Sequence, residues 1–77
     1  MEDVRHILAT NLRLARIALD MSQEALAAAA AIDRTYVSGI ERGVRNPTVT
    51  VLARFAHALD TTSAMLLTKG AFSSRKG

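Results

Sequence analysis

The sequence predicts an all-α domain of five helices. Three observations predict it. Apolar residues recur at steps of three and four in successive segments, and no segment alternates with period two over a useful length. Apolar residues make up 49% of the chain but aromatics only 4%, and alanine supplies much of the difference. Side chains that thin suit helices packed closely together. A chain of 77 residues supports one domain, which buries about 60–65% of the surface its unfolded chain exposes. There is no cysteine, so neither a disulfide nor a thiolate metal site can add stability, and oligomerisation is the remaining common remedy.

The first helix is expected over residues 3–19, where Val4, Ile7, Leu8, Leu12, Ala15 and Leu19 share one stripe and Asp3, Arg5 and Arg13 fall off it. Ser22 then precedes Gln23, Glu24 and Ala25, an N-cap followed by an acidic residue in the first turn. This second helix runs to about Ala29. Propensity alone would let the run from Ala27 to Ala31 continue; the break rests on Asp33, which caps a third helix. That helix carries Val37 and Ile40 inward and ends near Arg42, with Gly43 as its C-terminal stop. "VRNPT" is a loop, and Thr48 caps a fourth helix that buries Leu52, Phe55, Ala56 and Leu59. Thr61 or Thr62 caps a short fifth helix, SAMLLT, closed by Gly70. Residues 1–70 thus read as one domain, and "AFSSRKG", residues 71–77, as a flexible basic tail.

The net charge is +3 with a pI near 10.2, and the basic residues are mostly Arg, whose planar fork suits phosphate and base edges better than Lys does. No apolar run approaches the roughly 20 residues of a membrane span. The N-terminus, MEDVRH, is acidic and lacks an apolar signal region, so a cytoplasmic protein without a membrane partner is expected. An enzyme is not. His6 and His57 stand on different helices without a partnered carboxylate, and there is no phosphate-cradling Gly-rich loop and no H-E-x-x-H. No catalytic residue, metal, cofactor or small-molecule ligand is expected.

Two short helices about four residues apart, the second polar and Arg-bearing, make a helix-turn-helix arrangement. "MSQEALAAAAAIDRTYVSGIERG" resembles the helix-turn-helix of the lambda-repressor-like (XRE-type) DNA-binding family. The resemblance runs from Leu12 to Leu67, through the S-Q-E start at Ser22, the I-E-R-G end at Ile40–Gly43 and the N-P loop at Asn46. "DRTYVSGIERGVRNPT" is especially similar to the controller proteins of restriction–modification systems. The resemblance implies a transcriptional regulator that binds operator half-sites in double-stranded DNA. Arg34, Thr35 and Ser38, outward on the third helix, are then expected to approach base edges, Arg34 through guanine O6 and N7. Gly39 would let that helix sit close to the groove. Ser22 and Gln23 at the start of the second helix, with Tyr36, Arg42, Arg45 and Asn46, are expected on the phosphate backbone. For Tyr36, burial against the fourth helix is an equal expectation.

Glu41 would repel phosphate if it faced DNA; by the resemblance it forms a structural ion pair with Arg16. Ala31 and Asp20 stand where the family favours residues that tolerate a left-handed backbone, so a strained positive φ is expected at Ala31. The fourth and fifth helices hold more apolar residues than one core needs. Val49, Val51, Met65 and Leu67 are therefore expected at a homodimer interface. The alternative is a protein-interaction module on the same fold, an antitoxin or phage-type adaptor. Such an adaptor has no need of Gln23, Arg34, Thr35, Arg42 and Arg45 together on one face.

Overall fold

The computed structural model describes residues 3–72. Five helices follow one another: α1 (Val4–Ala18), α2 (Gln23–Ala30), α3 (Arg34–Glu41), α4 (Val49–Ala58) and α5 (Ser63–Leu66). Each begins at a side chain that accepts a hydrogen bond from a first-turn N–H: Asp3, Ser22, Asp33, Thr48 and Thr62. The fifth cap is thus Thr62; Thr61 donates its backbone N–H to the Ala56 carbonyl at 2.8 Å. At the other ends the chain turns through left-handed residues, Asp20 (φ 57°), Ala31 (φ 58°), Gly43 (φ 77°), Asp60 (φ 57°) and Gly70 (φ 78°). Ala31 is strained as its position in the motif predicted, because its Cβ crowds the following carbonyl there.

Leu8 and Leu12 of α1, Leu26 of α2, Val37 and Ile40 of α3, Leu52 and Phe55 of α4 and Leu66 of α5 meet in one core. The three- and four-residue spacing places them there. At the ends of α1 the stripe outruns the core: Val4 is 56% and Leu19 49% exposed. In its place Asn11 turns inward, fully buried. Its amide nitrogen donates to the carbonyls of Leu66 (2.9 Å) and Thr68 (2.8 Å), with Met65 O at 3.4 Å. Met65 O also accepts the Thr68 N–H and Thr68 O the Ala71 N–H, each at 3.1 Å, so the amide serves Leu66 O, a last-turn carbonyl that α5 cannot satisfy itself, and braces the turn after it. Phe72, placed by sequence in the tail, is half-buried against the core, so packing continues two residues past Gly70. The remainder of the expected tail, residues 73–77, lies outside the described residues. No helix among the described residues is long and apolar enough to cross a membrane.

Candidate nucleic-acid interface

The sequence-predicted site residues fall on α2, α3 and the loop that follows them. Val37 and Ile40 anchor α3 in the core, which turns Arg34 and Thr35 to solvent, with Ser38 half-buried beside them. The cap of α3 shapes what Thr35 can do. Asp33 Oδ1 accepts both the backbone N–H and the hydroxyl of Thr35, each at 2.9 Å. Those two bonds, the backbone one foremost, hold the Asp33 carboxyl below its ordinary range. With its proton on Asp33, the Thr35 hydroxyl offers a lone pair and a methyl group outward. It can accept from a base amino group or pack on a thymine methyl.

Behind the outward face of α3 lies a chain of polar contacts through three helices. Arg16 of α1 meets Glu41 of α3 in a two-point pair, Nε to Oε2 at 2.7 Å and an outer nitrogen to Oε1 at 3.0 Å. Their side chains are only 13% and 4% exposed. Arg16 also donates to the Met21 carbonyl at 2.8 Å, at the entry to α2. The hydrogen bond to Glu41 is the main reason that the guanidinium is held above its ordinary pKa. Gln23 donates an amide hydrogen to Glu41 Oε1 at 3.0 Å. Its carbonyl then faces Arg34, which donates to it at 3.3 Å, while Glu24 stands 3.6 Å from the Arg34 Nε. Gln23, expected to turn its amide to phosphate, is thus anchored by one of its two amide hydrogens to a buried carboxylate. The fixed amide presents its oxygen to Arg34.

The loop is ordered from the other end of α3. The Tyr36 hydroxyl donates to the Asn46 carbonyl at 3.3 Å, so its proton is engaged within the protein, and the ring is half-buried against the core. The Arg45 guanidinium lies 5.3 Å from that ring's centroid, within cation–π range. On its way there the Arg45 side chain crosses Gly39: a Cβ at Gly39 would stand 2.8 Å from Cδ and 2.9 Å from Cγ of Arg45. Within the protein, then, the group that approaches Gly39 is the flexible side chain of Arg45. Ser22, Arg42 and Asn46 are exposed, and the Ser22 hydroxyl accepts from the Ala25 N–H at 2.9 Å, which leaves its own proton for a ligand. Of the apolar residues expected at a dimer interface, Val49 is 82%, Met65 41% and Leu67 40% exposed. Val51 differs; it is half-buried against the domain's own core.

Sequence reasoning missed three of these contributors. The sequence marks Glu24 as a first-turn acid and gives no sign of its approach to Arg34. It marks Asp33 as a cap and does not show that the same carboxylate takes the Thr35 hydroxyl. Asn11 lies four residues from both Ile7 and Ala15, on the inward face of α1, and that spacing was a usable signal for a buried polar group.

The pattern described as helix-turn-helix matches residues 12–66. The chain belongs to this helix-turn-helix family. It is 39% identical over 75 residues to the control protein C.SmaI of Serratia marcescens, covering 97% of this chain and 89% of that one. The crystal structure of the hypothetical transcription factor NHTF from Neisseria superposes with a TM-score of 0.86 at 40% identity, over 88% of this chain and 76% of that one. The restriction–modification controller protein C.Esp1396I, solved as a tetramer in complex with its natural 35-base-pair operator, superposes with a TM-score of 0.77 at 30% identity, over 86% and 87% of the two chains.

Proposed function

We propose that this protein is a sequence-specific regulator of transcription, a controller protein of a restriction–modification system that binds operator half-sites in double-stranded DNA as a homodimer. The observation that carries the reading is the outward face of α3. The Arg34 guanidinium is held by the Gln23 carbonyl through one terminal nitrogen, Thr35 presents an acceptor and a methyl group, and Arg45 lies across the same helix at Gly39. Base contacts specify and backbone contacts position; here the first fall to Arg34, Thr35 and Ser38. The second fall to Ser22, the remaining amide hydrogen of Gln23, Arg42, Arg45 and the Asn46 loop that Tyr36 ties down. Arg16 and Glu41 hold α1 against α3 beneath them. The relatives support the assignment, one being a control protein and another a controller crystallised on its operator.

Exposed Val49, Met65 and Leu67 provide an apolar surface for pairing, to which half-buried Val51 adds an edge. Two-fold pairing sets two copies of α3 about 34 Å apart, the spacing of successive major grooves on one face of the duplex. The work is binding, with no bond made or broken, and it takes place in the cytoplasm, where the operator is. The domain that does it comprises residues 1–70 and the packed turn after them, with the basic tail beyond.

The test is a titration of duplex binding against salt. Phosphate neutralisation gives a steep negative slope of log affinity on log salt. Arg34→Ala is expected to weaken a cognate site by about 1–3 kcal/mol and to relax the preference at one base pair. Arg45→Ala is expected to weaken all sequences alike. A flat salt dependence, or equal sequence-blind losses from both variants, would overturn the assignment.

A further inference from the structure

At the opposite end of α3 from Arg34, a second group of basic residues meets around a groove of about 260 Å³. His6, Thr10 and Arg13 line it from α1, at steps of four and three that place them on one face. Arg42 and Gly43 reach it from the end of α3. Arg13, Arg42 and His6 are exposed, and none of the three has an ion pair among the described residues. Glu41 also lines the groove, yet its carboxylate is already engaged by Arg16 at 2.7 Å and by Gln23 at 3.0 Å. It does little for three further bases. Arg13 and Arg42 bring two positive charges to so small a space, which favours an anion between them.

We propose that Arg13, His6 and Thr10 extend the backbone contact already assigned to Arg42 into a phosphate site at the far end of α3 from the base-reading residues. Two guanidinium forks suit the oxygens of a phosphate group, and the Thr10 hydroxyl adds a neutral donor. Beside them Gly43 has open space where a Cβ would stand, so the end of α3 leaves the ligand room. The shared chemistry is a phosphate group, and it has two sources. One is a free phosphate or phosphomonoester. The other is a backbone phosphate of duplex running past the half-site, and this second source rests on the DNA-binding reading above.

Two arms on the full chain separate the sources. In the first, the resonances of Thr10, Arg13 and Arg42 are followed as inorganic phosphate replaces chloride at constant ionic strength, with exposed Arg5 as reference. Saturable shifts at the groove that Arg13→Ala abolishes, and that Arg5 does not share, establish a site for free phosphate. In the second, Arg13→Ala is compared with the unaltered chain on a duplex of half-site length and on one longer by a helical turn at each end. A loss confined to the longer duplex, with the salt slope about one unit shallower, establishes the flanking backbone as the source. Shifts that never saturate or that Arg5 shares, together with equal affinities for both duplexes, would overturn the proposal. A chain that binds neither duplex but shows saturable groove shifts would keep the phosphate site and remove the reading of α3.

Discussion

Gly39→Ala separates two explanations of one glycine. The new Cβ would stand 2.8 Å from Cδ, 2.9 Å from Cγ and 3.2 Å from Nε of Arg45. Comfortable carbon–carbon contact begins near 3.5 Å, so Arg45 must retreat by about 0.7 Å or swing away altogether. It is an exposed, flexible side chain, and swinging away is easy. What it leaves is the Tyr36 ring, 5.3 Å from the guanidinium, an exposed cation–π contact of about 0.5–1 kcal/mol. Against that loss, alanine inside a helix is favoured over glycine by about 0.8–1 kcal/mol. The two nearly cancel, so denaturant unfolding is expected to shift by less than about 0.5 kcal/mol in either direction. Duplex binding should respond differently. With Arg45 displaced, one phosphate contact is lost and the salt slope becomes shallower by about 0.9. The deciding measurement is a double-mutant cycle. On an Arg45→Ala background, Gly39→Ala should have no further effect on DNA affinity. A full-sized second loss on that background would mean that the methyl group meets DNA directly, and the role assigned to Arg45 would fall. Destabilisation beyond about 2 kcal/mol, of the size of core overpacking, would show that Arg45 cannot yield.

Ala31→Gly should raise stability by about 0.5–1 kcal/mol, since φ is 58° there; an unchanged or lowered unfolding midpoint would refute the strain. Arg16→Ala should cost about 3–5 kcal/mol by stranding the Glu41 carboxylate, and Arg16→Met with Glu41→Leu should recover most of it; additive losses in the double variant would dispose of the pairing argument. The Asp33 carboxyl is held low by its bonds to Thr35, so its contribution is fully present above the unfolded value near 3.9. It is lost as pH falls through the lower folded value. Asp33→Asn should therefore flatten the acid limb of stability against pH, and an unaltered limb would remove the cap from the account. Met65→Asp should shift sedimentation from dimer to monomer at tens of micromolar while a single half-site still binds; an unaltered protein that is already monomeric there would end the interface proposal.

The fold was legible because helices announce themselves through spacing and caps. Leu12, Val37, Phe55 and Leu66 sit at the steps a buried stripe requires, and Ser22, Asp33 and Thr48 mark starts that chemistry makes nearly unavoidable. What spacing cannot show is where a stripe runs out of neighbours. Val4 and Leu19 continue the period of α1 yet project beyond the elements that would cover them. The candidate site divides in the same way. Which residues face outward follows from α3 being a helix with Val37 and Ile40 beneath it. Which partner each polar side chain takes depends on how the chain folds back between elements: Gln23 on Glu41, Tyr36 on Asn46. Residue type named these side chains as hydrogen-bonding groups without showing that much of their capacity was already engaged inside the domain.

Asn11 has a consequence that reaches past stability. Its amide ties together carbonyls 55 and 57 positions further along the chain, and between those carbonyls lies Leu67, with Met65 just before them. In the proposed dimer, the turn that would offer these side chains to a second copy is therefore set before any encounter. Association would then lose less conformational freedom than it would from a frayed end, and pairing would begin at a lower protein concentration. In a growing cell, concentration is elapsed time. The moment at which such a regulator first doubles and occupies its promoter would depend in part on a buried amide that touches neither the DNA nor the other copy.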